Sequence, residues 1–189
     1  MDDKKTFRTF FAIALPEETL QQLSLCIDKL KKDKKFSGIR WIPIENLHIT
    51  LRFLGNITEE QSSFLIEKAR QGLQSVNHFS IELKTIISFP PDGEPRILAI
   101  KPKPITSLAA LALLLDEYVI ELGLPEEKRT YTPHLTIGKK KEKHDFLKLE
   151  KEIKITPLKF KITDVKLLRS HQTKAGSIYS EVATIPLKG

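Results

Sequence analysis

The chain has 189 residues, enough for one sizeable core or two small lobes. Its 40% apolar and 29% charged residues are those of a soluble globular protein. Lysine and arginine exceed acidic residues by seven and the pI is about 9.4. Such a balance favours an anionic partner, with nucleic acid first, although many surface lysines serve only solvation. One cysteine, Cys26, excludes an internal disulfide, and no Cys/His cluster suggests zinc. The polar N-terminus lacks the apolar segment of a signal peptide and no stretch reaches membrane-spanning length, so the expected compartment is the cytoplasm.

Thr6 to Leu15 is aromatic and apolar and reads as a strand. Pro16 begins a helix, with Glu17 and Glu18 suited to its positive end and Leu20, Leu23, Ile27 and Leu30 on one face. Lys31 to Lys35 reads as a solvated helix end. Arg40 to Ile44 is extended, with Pro43 arguing for an edge or loop, and a strand follows that stops at Gly55. Thr58-Glu59-Glu60-Gln61 is a capping box for a helix carrying Phe64, Leu65, Ala69 and Leu73. Strands are expected at Phe79–Phe89 and Arg96–Lys101, around a turn from Pro90 to Pro95. A helix from Leu108 to Leu122 should end at a left-handed cap near Gly123. Another strand follows, then a basic run and a short helical pattern to about Lys154. The final strands, Leu158–Arg169 and Ile178–Leu187, form a hairpin around Lys174–Ser177. Irregular alternation of helices and strands implies an α+β protein with largely antiparallel sheets. No linker separates independent domains, so residues 1–189 are expected to form a single two-lobed unit.

His-x-Thr occurs twice in apolar, strand-like context, as His48-Ile49-Thr50 and His134-Leu135-Thr136. Residues i and i+2 of a strand share a face. Each run therefore shows an imidazole and a hydroxyl to one side, with Ile49 and Leu135 pointing the other way. A third copy, His171-Gln172-Thr173, has a polar middle residue and runs into a turn, so the triplet by itself carries little weight. His78 and His144 have no organised company. One neutral and one protonated imidazole can act as base and acid near neutral pH. That pair suits in-line attack of water on a ribonucleotide phosphate, with threonine hydroxyls donating to the non-bridging oxygens. A strained cyclic phosphodiester needs no metal for this. The competing reading is packed histidines and β-branched threonines; two copies in matching context favour function.

Arg52 continues the face of His48 and Thr50, where it would meet phosphate or lie at a rim. Lys139 reaches that face only if its strand bends. Of Phe10 and Phe11, one packs inward and the other offers a base-stacking surface, taken here as Phe11; Tyr131 is a second such candidate. Trp41 is similar, and core packing is the better expectation for both Trp41 and Tyr131. Nothing in the pattern demands more than a monomer.

With these residues in view, the chain resembles the two-histidine (2H) phosphoesterase superfamily, and within it the RNA 2′,3′-cyclic phosphodiesterase (LigT, or 2′-5′ RNA ligase) family. The resemblance rests on Arg8-Thr9-Phe10-Phe11-Ala12-Ile13, on Arg40-Trp41-Ile42-Pro43 through Gly55, and on Phe89-Pro90 through Leu98. It continues at Tyr131-Thr132-Pro133-His134 through Lys139 and at Tyr179-Ser180-Glu181-Val182. It implies a pseudo-twofold, two-lobed fold around a central cleft and cofactor-free, metal-independent opening of RNA 2′,3′-cyclic phosphate ends to 2′-phosphates. It further implies His48 and His134 as the acid–base pair, His48 toward the 3′ oxygen and His134 toward water. Thr50 and Thr136 would lie on the phosphate, where Lys139 stands at a position often occupied by arginine and lacks its bidentate fork. Ligation of cyclic-phosphate and 5′-hydroxyl ends through a 2′-5′ bond, or RNA binding without turnover, are the alternatives.

Overall fold

The computed structural model describes residues 5–90, 94–141, 146–174 and 176–189. In chain order the strands are β1 (Phe7–Ala14), β2 (Ile39–Trp41), β3 (His48–Ile57), β4 (Phe79–Phe89), β5 (Ile97–Lys103), β6 (Leu135–Lys140), β7 (Leu158–Ile162), β8 (Asp164–Thr173) and β9 (Gly176–Pro186). The helices are α1 (Glu17–Lys32), α2 (Glu59–Leu73), α3 (Ile105–Glu121) and α4 (Phe146–Glu152). The turn expected at 90–95 lies partly outside the described residues, as does His144.

Antiparallel pairing joins the strands into one sheet of order β7-β4-β5-β6-β3-β1-β8-β9, with β2 beside β6. The middle of that order is β3 against β6, the strands of the two His-x-Thr runs. Four strands extend from it each way: β6, β5, β4 and β7 in one half, and β3, β1, β8 and β9 in the other. α3 packs on β3, α2 on β9 and α3, and α4 on β4. Buried Leu65, Ala69 and Leu73 of α2 and Leu108, Leu111 and Leu115 of α3 meet Ile49, Leu51 and Leu135 in one core. The helices thus cover the face opposite the imidazoles.

Local sequence explains several boundaries. Thr58 and Gln61 close the expected capping box, worth about 1 kcal/mol. Gly123 takes φ +83° after α3, as an L-residue there would not without strain. The strand expected to stop at Gly55 runs on to Ile57. Gly55 adopts φ +73° at a bulge against β1, so the chain passes through the glycine instead of ending there.

One expectation is corrected. Leu158–Arg169 is two strands, divided at Thr163. β7 pairs with β4 and β8 with β1, at opposite ends of the sheet order. The sheet curls until those ends meet, where the Leu187 N–H donates to the Thr163 carbonyl at 2.9 Å and the Lys188 N–H to Val76 at 2.8 Å. Burial changes phase at the junction, from Leu158, Phe160 and Ile162 to Val165 and Leu167.

Candidate active site

Ile49 stands opposite Leu135 in the antiparallel β3–β6 pair. This register sets His48 across from Thr136 and Thr50 across from His134, all on one face, since directly opposed residues share a side. An approximate twofold axis passes through the Ile49–Leu135 pair, and both of those side chains are fully buried beneath. The four groups are partly exposed on the open side.

The two imidazoles are held alike. His48 Nδ1 lies 2.8 Å from the Asn46 carbonyl oxygen, and His134 Nδ1 lies 2.7 Å from that of Thr132. A carbonyl only accepts, so Nδ1 donates in both rings and Nε2 is left for chemistry. His48 Nε2 is 3.1 Å from Thr50 Oγ1. The Asn46 side chain donates to the Ser177 carbonyl at 2.9 Å, tying this support to the β8–β9 hairpin. Burial pushes the His48 pKa below its ordinary value, and the nearby His134 and Lys139 charges add to that, against the opposing hydrogen bond to Asn46.

Aromatic walls flank each ring. Phe89 stacks on His134 with centroids 4.5 Å apart. Phe10 and Tyr179 lie 4.9 and 5.0 Å from His48. Tyr131 donates from its hydroxyl to the Thr50 carbonyl at 2.9 Å, bracing the first motif from the segment that leads into the second. Burial raises the Tyr131 pKa, which keeps that donor protonated.

Phe11, expected as a base-stacking surface, is fully buried on the helix side of β1. Alternation places its neighbour Phe10 against His48 instead. Trp41 packs edge-on to Phe36 at the core margin. His171 lies on the exposed outer end of β8, where its Nε2 is 3.1 Å from Ser180 Oγ.

Arg52 is also corrected. β3 skips Leu51 in its register with β1, a bulge between Thr50 and Arg52 that reverses the alternation. The guanidinium turns to the helix side, 2.5 Å from Asp116 and 2.6 Å from the Phe53 carbonyl, with the Pro125 carbonyl as a third partner. Nε and both terminal nitrogens are thereby engaged inside the protein, and Arg52 leaves the phosphate-binding set.

The matching irregularity in β6 has the opposite consequence. Leu98 pairs with Gly138 and Ala99 with Thr136, so Ile137 is the extra residue. Past that bulge Lys139 joins the face of His134 and Thr136, consistent with its charge acting on His48. Gly138 fits where it does because any Cβ would lie 2.5 Å from the Ile39 side chain. β2 then sets Arg40 directly opposite Lys139. Both are exposed, with no ion pair among the described residues. Arg40 was missed because only the β2–β6 pairing brings it to this face, whereas Phe10 was open to reading from alternation alone. Among the described residues no group of three or more His, Cys, Asp or Glu is placed to hold a metal.

Paired histidine–threonine units about a pseudo-twofold axis, in a curled antiparallel α+β frame, define a two-histidine phosphoesterase. The profile of the 2′-5′ RNA ligase superfamily matches residues 16–174, and the chain belongs to that family. It is 32% identical over 183 residues to the RNA 2′,3′-cyclic phosphodiesterase of Methanocaldococcus jannaschii, covering 93% of this chain and 98% of that one. The Thermotoga maritima protein of the same name is 30% identical, with 96% of each chain covered. A solved structure from Thermus thermophilus superposes with a TM-score of 0.78 at 26% identity, covering 96% of this chain and 98% of that one.

Proposed function

We propose that the chain hydrolyses RNA 2′,3′-cyclic phosphodiester ends to 2′-phosphates, with His48 and His134 as the acid–base pair. The observation that carries this reading is the twofold arrangement in which each Nδ1–H is held by a backbone carbonyl, leaving two Nε2 atoms on one face with two threonine hydroxyls. The phosphorus sits between the motifs. Thr50 and Thr136 donate to its non-bridging oxygens, and Lys139 adds positive charge at the rim. His134 Nε2 takes a proton from water as its oxygen attacks in line. The bond to the ribose 3′ oxygen breaks, and His48 Nε2–H protonates that oxygen. The product carries a 2′-phosphate and a 3′-hydroxyl. Both proton transfers are supplied by imidazole, so the sequence of steps draws on no metal or cofactor.

Burial keeps His48 neutral in the free cleft, which runs against a resting acid. A bound phosphodiester brings a negative charge beside the ring and favours imidazolium. Substrate binding therefore loads the proton that His48 later delivers.

The test is turnover of 2′,3′-cyclic nucleotides in EDTA, with the product phosphate located. His48→Ala and His134→Ala should each lose at least ~10²-fold in kcat. With a nitrophenyl phosphodiester, whose leaving group departs without protonation, His48→Ala should recover and His134→Ala should not. Full activity of the double variant on cyclic nucleotides sinks the proposal. Capture of a 5′-hydroxyl RNA end in preference to water would make ligation the main reaction.

A further inference from the structure

The open face of the sheet continues well beyond the histidines in the β4–β5–β7 half. Ala99 stands opposite Thr136, and β5 alternates without interruption, so Lys101 and Lys103 share the face of Thr136. Glu82 of β4 lies opposite Lys103, and Lys159 of β7 lies opposite Glu82. Phe89, on the same face of β4, stacks on His134 and fixes which side this is. Lys101, Lys103 and Lys159, with Glu82 and Ile105, line an open groove of about 710 Å³. None of the three lysines has an ion pair among the described residues, so the groove is net positive despite Glu82.

The other half differs. Its matching face presents Phe10 and Tyr179 near the site. Farther out, Lys166 is already held by Glu181 at 3.2 Å and Asp164 at 3.6 Å. Arg8, at the outer end of β1, is an exposed cation there. Uncompensated charge on the sheet face that carries the site is therefore concentrated in the β4–β5–β7 half. Arg40 and Lys139 stand opposite each other toward the other end of β6.

We propose that the Lys101–Lys103–Lys159 groove binds the RNA segment 5′ to the cyclic phosphate, so that the enzyme selects oligonucleotide ends over cyclic mononucleotides. The inference rests on the function proposed above and names its substrate class. A 2′,3′-cyclic phosphate closes the 3′ end of a strand, so the remaining chain must leave the cleft in the 5′ direction. Lys103 is four residue steps along β5 from Ala99, or ~13 Å at strand rise. That spans about three to four nucleotides at a stacked rise of ~3.4 Å. Charge complementarity, not base readout, sets the contact.

The experiment compares 2′,3′-cyclic mononucleotide with cyclic-phosphate oligoribonucleotides of two to six residues. The wild type should show KM falling with length and then levelling near four residues. Lys101→Ala/Lys103→Ala/Lys159→Ala should raise the oligonucleotide KM by ~10-fold or more, toward the mononucleotide value. Its mononucleotide constants should not change. The slope of log KM against log salt should shrink by about two, from a loss of ~0.7 per single-strand phosphate contact. Lys103→Glu/Lys159→Glu, at exposed positions, should act in the same direction. Lys29→Ala/Lys31→Ala/Lys32→Ala on α1 removes equal charge elsewhere and should have little effect. Anisotropy of a labelled oligonucleotide ending in 2′-phosphate gives the same comparison without catalysis. Loss of binding in the groove variant alone supports the groove even if no cyclic phosphate is opened. Unaltered length dependence and binding in that variant, or equal loss in the α1 control, overturns it. Absence of mononucleotide and oligonucleotide turnover in the wild type would instead strike the proposed function.

Discussion

Arg52→Met tests whether Arg52 is a scaffold residue. The guanidinium is buried, and Asp116 beside it is only 14% exposed. Replacement leaves the Asp116 carboxylate without its cation and two carbonyls, of Phe53 and Pro125, without their donor. Removing one partner of a buried pair costs about 3–5 kcal/mol, chiefly by stranding the other charge. For a chain of this size, ~1 kcal/mol moves the melting temperature by about 2–4 °C, so the fall should be roughly 6–20 °C. Asp116→Leu in the same chain should restore much of it, because a paired apolar replacement strands nothing. Urea midpoints and thermal melts give the stabilities. Turnover of a 2′,3′-cyclic nucleotide well below the melting point gives the site's response, with KM expected within about twofold of wild type. Unchanged stability together with a steep rise in KM would refute the reasoning and return Arg52 to the phosphate.

Thr50→Val and Thr136→Val should each lower kcat by ~10²-fold with KM less affected, as expected when a donor to developing charge is lost; parallel kcat and KM measurements on folded protein check this. Lys139→Ala should raise the His48 pKa, because it removes a cation that disfavours imidazolium, and should raise KM, while Lys139→Arg keeps both near wild type; imidazole NMR titration reads the first and steady-state kinetics the second. Above the unfolded-state value of about 6.5, His48 binds no proton folded or unfolded. As pH falls through 6.5 toward the depressed folded value, the unfolded chain binds protons the folded one does not, so stability declines in that window, and denaturation of His48→Gln should show a shallower decline.

Much of this site was open to reading before any coordinates. The spacing of His48 from Thr50, and of His134 from Thr136, put each pair on one face, because strand alternation is local geometry. The capping box at Thr58 and the cap at Gly123 were equally legible, being set by a few adjacent residues. The choice of Phe11 over Phe10 was one that alternation could have settled, whereas Arg52 was misplaced because alternation is interrupted there. Extrapolating period two past Thr50 placed Arg52 in the cleft, and a bulge at Leu51 sends it to Asp116. The same device at Ile137 brings Lys139 inward, since one extra residue reverses every side chain beyond it.

The sequence by itself determined which chemical groups were available and how each local pair was oriented: two imidazole–hydroxyl pairs on apolar strands, and an excess of cations. Tertiary structure decided what they face. Register across β3 and β6 sets His48 opposite Thr136, and pairing of β2 with β6 brings Arg40 to Lys139. The run of β5 carries Lys101 and Lys103 onto the same open face. The physical reason is range. Turn chemistry and side-chain alternation act over a few residues, whereas a bulge or a strand partner is selected by burial and hydrogen bonding across the whole sheet.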